Sequence, residues 1–225
     1  MSGQPWDAEK WASGRIEDDY KNAGCILTGL AVVFNVVGWS VALTVTRQNP
    51  GDGGALFVWL FPLVALGLAA AAVHQTLRKR RFGSPVFELA TRPGVVGRAL
   101  AGQVLVPRGL PAESDVKVTL KCLRLVTTGS GKNRRTTTST LWEREQQLPG
   151  SLVAGEGLRI PVAFAIPSDA PPTDERNSRD TVRWDLEVQS ALPGVDFKAR
   201  FEVPVFVTPE SARPLTDEER QRLGG

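Results

Sequence analysis

"VRWDLEVQSALPGVDFKARFEVPVFV", residues 182 to 207, alternates with a period of two on both sides of a proline-glycine turn. Val182, Trp184, Leu186, Val188 and Leu192 fall on one side, with Arg183, Asp185, Glu187 and Gln189 opposite. After the turn, Phe197, Ala199, Phe201, Val203, Val205 and Val207 continue one apolar side. Successive side chains of a strand point to opposite faces, so the stretch predicts a β-hairpin with one buried and one wet face.

The pattern spreads outward from there. "GLRIPVAFAIP" places Leu158, Ile160, Val162, Phe164 and Ile166 on one side. Strands are predicted near 85–91, 95–106, 116–126, 136–148, 157–166, 180–191 and 196–207, separated by turn-rich segments such as "PRGLPAESD" and "PSDAPPTDERNSRD". No helical pattern interrupts residues 82–208. About seven antiparallel strands without a covering helix are most simply buried as two packed sheets. Pro161 and Pro204 each remove a ladder donor, which predicts edge or bulged strands there. Beyond this domain (85–208), "PLTDEERQRLGG" predicts a short helix in the tail 209–225, capped by Thr216 with Glu219 and ended by Gly224.

Upstream the composition changes. Ala23 to Thr46 runs 24 residues without a charge, and Ala55 to Leu77 runs 23 with only His74 ionisable. At about 1.5 Å per residue each helix reaches roughly 35 Å, enough to cross a hydrocarbon core of about 30 Å. A cleavable leader does not fit, because the first run starts late, follows "RIEDDYKN" and is too long. The connector "RQNPGDGG" is short and turn-rich, so 23–77 is predicted to be a transmembrane hairpin. Lys10, Arg15 and Lys21 precede it, Arg78, Lys79, Arg80 and Arg81 form a basic juxtamembrane segment (78–84) after it, and the connector carries only Arg47. Positive charge is retained in the cytoplasm, so both termini are expected there. Trp6, Trp11 and Tyr20, in a tail of residues 1–22, are candidates for the headgroup layer.

"TTGSGKNRRTTTSTLWE", residues 127–143, raises the question of a phosphate-binding loop. That motif needs G-x-x-x-x-G-K-[ST] opening a helix. Aligned on Gly131-Lys132, the first glycine becomes Val126, the hydroxyl becomes Asn133, and threonine-rich strand follows. The stretch therefore predicts a hairpin tip, basic through Lys132, Arg134 and Arg135, with a partner or anionic lipid headgroups as its candidate contacts.

Catalytic chemistry finds little material. His74 is the one histidine and lies in the second apolar run. Cys122 shares the face of Val116, Val118 and Leu120, the position of a core thiol, and Cys25 lies in the first apolar run. No Cys/His spacing suits zinc, and no cofactor motif is present. Asp174-Glu175 and Asp185 with Glu187 are expected on solvated surfaces. Residues 78–225 carry 23 Lys+Arg against 18 Asp+Glu, and Trp142, Trp184, Phe164, Phe197 and Phe201 are expected in the core, so nucleic acid is not a predicted partner. In the apolar runs, Asn35 and the small residues Ala65, Gly67, Ala69 and Ala71 suit helix packing within the hairpin or self-association into a homo-oligomer.

Two stretches carry a resemblance. "GLRIPVAFAIPSDAPPT" and "VRWDLEVQSALPGVDFKARFEVPVFV" resemble strands of the arrestin-like branch of immunoglobulin-like β-sandwich proteins, and with "VVGRALAGQVLVP" the likeness covers about 110 residues, which would imply one lobe. The whole arrangement, including "FELATRPG" and "TTGSGKN", is similar to bacterial membrane proteins with an N-terminal hydrophobic hairpin and such a sandwich. That resemblance implies the bacterial inner membrane and supplies no activity. The function expected is a membrane-anchored, non-enzymatic interaction module with a protein or peptide partner. The alternatives are an accessory subunit docking through its hairpin and, less favoured, a lipid- or envelope-related hydrolase.

Overall fold

The computed structural model describes residues 6, 9–48, 57–111, 114–149 and 157–213. The chain divides into two compact units, one of Tyr20–Arg81 and one of Met1–Asp19 with Phe82–Gly225. In sequence, the first is inserted between two parts of the second.

The inserted unit is helical. Helix α2 covers Ala23–Gln48 and helix α3 covers Leu60–Phe82, so both differ by a few residues from the expected bounds. Their close approach is set by small residues. A Cβ on Gly38 would come within 3.3 Å of the Phe61 backbone, and Ala31, Ala42, Ala65 and Ala72 are buried. Asn35 Nδ2 donates to the Ala31 carbonyl at 2.8 Å and, across the pair, to the Ala65 carbonyl at 3.2 Å. Of the small residues singled out in the sequence, Ala65 therefore faces α2, whereas Gly67 and Ala71 are exposed. The basic cluster Arg78–Arg81, expected after the second helix, lies within α3, with Lys79, Arg80 and Arg81 in its last turn, where cations complement the helix dipole.

Most of the apolar surface of these helices is uncovered. Only 17% of each hydrophobic window is buried, and both windows, Ile26–Gln48 and Phe57–Phe82, are long and apolar enough to cross a membrane. Among the described residues, the exposed large hydrophobics lie on this unit except for Leu141 and Val207. A core helix of a soluble protein would have buried them.

The second unit begins with α1 (Glu9–Ala12) and strand β1 (Arg15–Glu17). After α3 follow β2 (Val86–Leu89), β3 (Gly94–Val95), β4 (Ala99–Val106), β5 (Val116–Thr128), β6 (Arg135–Leu148), β7 (Leu158–Ala165), β8 (Asp174–Asn177), β9 (Asp180–Ser190), β10 (Phe197–Val203) and β11 (Val205–Phe206). One antiparallel sheet has the order β1-β2-β4-β7. A second runs β10-β9-β5-β6, with β8 added on β9. A short parallel pair joins β11 to β3. Apolar faces of both main sheets contribute to one core, through Phe87, Leu100, Val104, Ile160 and Phe164 on one side and Leu120, Trp184, Leu186, Phe197 and Phe201 on the other.

Local chemistry explains the joints. Pro204 separates β10 from β11, and Pro161 lies on β7, an edge of its sheet. Beyond Pro204 the alternation breaks: Val205 and Phe206 are both buried, and Val207, expected inside, is 59% exposed. Gly102 is required by packing, since a Cβ there would lie 2.4 Å from the Glu88 carbonyl and 2.7 Å from the Phe87 ring. The β5–β6 ladder slips between Cys122 and Leu123, whose partners are Trp142 and Thr140, leaving Leu141 as the extra residue of a bulge.

The N-terminal segment is the largest departure from expectation. Trp11 is 2% exposed and belongs to the core, not to a headgroup layer, and Trp6 packs on Phe206 at 5.6 Å between ring centroids. Tyr20 lies in the helical unit, under the Arg78 guanidinium at 4.9 Å. Arg15, Ile16 and Glu17 pair with Glu88, Phe87 and Val86, so residues 9–19 are structural parts of the β unit. The predicted tail helix, with Thr216, Glu219 and Gly224, lies outside the described residues, as do 49–54 of the connector.

Candidate functional site

Two features of the β unit offer recognition chemistry: the tip of the β5–β6 hairpin, and a cavity over the outer face of the first sheet.

The tip is built by a 3-10 turn, Gly131–Asn133, between Thr128 and Arg135, which pair in the ladder. Gly129 takes φ +79°, and a Cβ there would sit 2.2 Å from the Asn133 carbonyl. Lys132, Arg134 and Arg135 are all exposed, as is every residue from Thr128 to Leu141. Lys132 lies in the turn, Arg134 follows it directly and Arg135 opens β6. The second basic group, Arg78, Lys79, Arg80 and Arg81, sits in the other unit at the end of α3.

The cavity has a volume of about 950 Å³. Its floor is made by Ala99 and Ala101 of β4 and Ala163 and Ala165 of β7, which are register partners across the ladder. Leu100 and Phe164, between them in sequence, point into the core, so the alanines occupy the opposite face. Short side chains leave depth where larger ones would have covered the sheet. On one wall Gln146 of β6 donates from Nε2 to the Ala163 carbonyl at 2.8 Å, satisfying an edge group of β7. Arg144, two residues earlier on β6, also lines the cavity, with no hydrogen-bond or ion-pair partner among the described residues. Arg92, Pro93, Trp6, Thr208, Pro209 and Glu210 also line it. Arg98 is buried and fixed: its Nε and Nη2 donate to the Glu210 carbonyl at 3.3 and 3.0 Å, and Nη2 also donates to the Arg213 carbonyl. Arg92 Nη1 donates to the Ala12 carbonyl. Three arginines thus line the cavity against one carboxylate, Glu210.

The acidic pairs are committed elsewhere. Asp185, expected on a solvated strand face, is instead 1% exposed and ion-paired to Arg183, Nε to Oδ1 and Nη2 to Oδ2, each at 2.9 Å. Burial pushes its carboxyl above the ordinary range against the pull of Arg183. Lys10 donates to Glu175 and Glu202, both at 2.6 Å. Burial also raises Glu202, opposed by Lys10, while the two glutamates hold the Lys10 ammonium above its usual value despite its own burial. Asp174 is chelated by Arg176, whose hydrogen bonds bring it to about 2. Cys122 is buried in the core, with the thiol pushed up to about 12 by burial. Among the described residues no group of three or more His, Cys, Asp or Glu side chains is arranged to hold a metal ion.

Periodicity located the tip. The cavity escaped it, although the alternate alanines of "ALAGQ" and "AFA" were a signal for a shallow outer face.

No family model and no curated protein matches the chain. Among solved structures it is similar to Spo0M, a sporulation control protein from Bacillus subtilis, at 18% identity and a TM-score of 0.39, covering 56% of this chain and 49% of that one. The chain thus spans about half the length of Spo0M.

Proposed function

We propose that this chain is a membrane-anchored, non-enzymatic interaction module of the bacterial inner membrane, presenting an immunoglobulin/arrestin-like β-sandwich at the cytoplasmic face. One observation carries the two-span reading. β1 precedes the apolar helices, β2 follows them, and the two strands pair residue by residue. A chain that crosses a bilayer after β1 must cross back before β2, which two spans allow and one forbids. The uncovered apolar surface of α2 and α3 supports residence in lipid. The excess of Lys and Arg outside the connector supports cytoplasmic termini, and two sheets sharing one core support the sandwich.

The recognition elements are loops and edges. The basic tip suits an acidic protein segment or anionic headgroups, each cation adding on the order of 1 kcal/mol near a charged surface. A non-enzymatic role is supported by the state of the reactive groups, with Cys122 buried and His74 on α3. The test has two parts. A reporter that works only outside the cytoplasm, fused after Gly225, is expected to stay silent; activity would move the β unit to the other side. A photo-cross-linker at Lys132 is expected to give a discrete adduct that disappears in Arg134→Glu/Arg135→Glu and is absent from a control at Arg159. An adduct pattern identical at both positions would remove the tip as a contact.

The second reading, an accessory subunit docked through its helices, draws on the exposed Gly67 and Ala71 of α3, where a further helix would approach closely. Replacing residues 23–77 with an unrelated hairpin separates the two: activity survives in a module and is lost in a docked subunit.

A further inference from the structure

We infer that the alanine-floored cavity of the β unit is a binding site for a small anionic amphiphile, an alkyl carboxylate or alkyl phosphate, with its chain along the alanines and its anionic end at Arg144. The site is distinct from the basic tip. Three observations converge on it.

The floor is apolar and shallow in side-chain length. Ala99 pairs with Ala165 and Ala101 with Ala163, so four methyl groups carpet one patch of sheet. Together with Pro93, Val95 and the Trp6 ring they present the kind of surface that an alkyl chain leaves water to reach. At about 950 Å³ the space falls within the range of small-molecule pockets.

The polar groups divide into occupied and free. Arg98 spends its donors on the Glu210 and Arg213 carbonyls, and Arg92 reaches the Ala12 carbonyl, so both shape the wall. Arg144 lines the same space without a partner among the described residues, and its neighbour Gln146 anchors β6 to β7 beside it. A guanidinium offers a planar fork of donors suited to carboxylate or phosphate oxygens.

The balance of local charge is positive. Three arginines against Glu210 disfavour a cationic ligand and favour an anion. A ligand with only an anionic group would leave the alanine floor unused, and one with only a chain would leave Arg144 unused; an amphiphile uses both.

The test uses the full chain in nanodiscs of neutral lipid, with empty nanodiscs as the blank, and titrates hexanoate, hexyl phosphate and hexan-1-ol. Saturable binding of at least one anion, above the blank and tighter than that of hexan-1-ol, is expected. Arg144→Gln should weaken the anion by about ten-fold and leave hexan-1-ol unchanged. Ala163→Leu, at an exposed position where the larger chain is tolerated, should abolish binding of the anion and the alcohol alike. Whether hexanoate or hexyl phosphate binds tighter tells a fatty-acid source from a phospholipid-derived one. Equal affinity for anion and alcohol, an unaltered affinity in Arg144→Gln, or no binding beyond empty nanodiscs overturns the site. Each of these outcomes leaves the cross-link at the tip standing, so the two proposals fail separately.

Discussion

The indole Nε1 of Trp11 donates a 3.0 Å hydrogen bond to the carbonyl of Glu202, joining a segment before the two long helices to a strand near the far end of the chain. The same indole is buried and meets Phe206 edge-on at 5.9 Å. The N-terminal segment is thus a clasp on the β unit, and the helices are an insertion within that unit.

Trp11→Ala should destabilise the β unit by about 3–5 kcal/mol, the range for removing a buried aromatic. Trp11→Phe, which keeps most of the ring, should lose about 1 kcal/mol with the hydrogen bond. Urea titration followed by fluorescence checks both, and a loss below about 1 kcal/mol for the alanine variant would show that the clasp does not hold the fold.

The clasp also predicts a pH dependence. Glu202 titrates above its unfolded value because it is buried, so its contribution to stability is present in acid and falls as pH rises through the folded pKa. Lys10 limits that loss by pairing with the charged form. Lys10→Met should therefore be more destabilising at pH 8 than at pH 4, measured by thermal unfolding. An equal effect at both values would mean that the pair is electrostatically idle.

Asp174 has the opposite sign. Its carboxyl sits near 2 in the fold, so the pairing with Arg176 stabilises above the ordinary carboxylate range and is lost as pH falls toward 2. Both groups are solvent-facing, and Asp174→Asn should change stability little at pH 7.

Cys122 should resist alkylation at pH 8 in the folded protein, because a thiol titrating near 12 carries almost no thiolate there. Maleimide labelling of Cys25→Ser protein, followed by peptide mapping, should modify Cys122 only after denaturation. Rapid labelling under native conditions would place the thiol outside the core.

At the hairpin tip, Gly129→Ala should disturb the turn, since φ +79° and a carbonyl 2.2 Å from the new Cβ both oppose it. Gly131→Asn should be mild, because no atom lies within 4 Å of a Cβ there and asparagine tolerates φ +56°. Amide exchange of residues 128–135 distinguishes the two.

By itself, the sequence determined the elements. Two long apolar runs had to be helices long and apolar enough to cross a membrane, and alternation with a period of two had to be strands with one apolar face. Both rest on local rules, the rise per residue of a helix and the two-sided geometry of a strand. Only the tertiary structure decided what lay across long separations. Ile16 opposite Phe87, Trp11 bonded to the Glu202 carbonyl, and four alanines gathered beside Arg144 each depend on segments far apart in the chain. Three short residues such as Arg15–Glu17 carry too little periodicity to announce a strand, and they become one because β2 offers them an open edge.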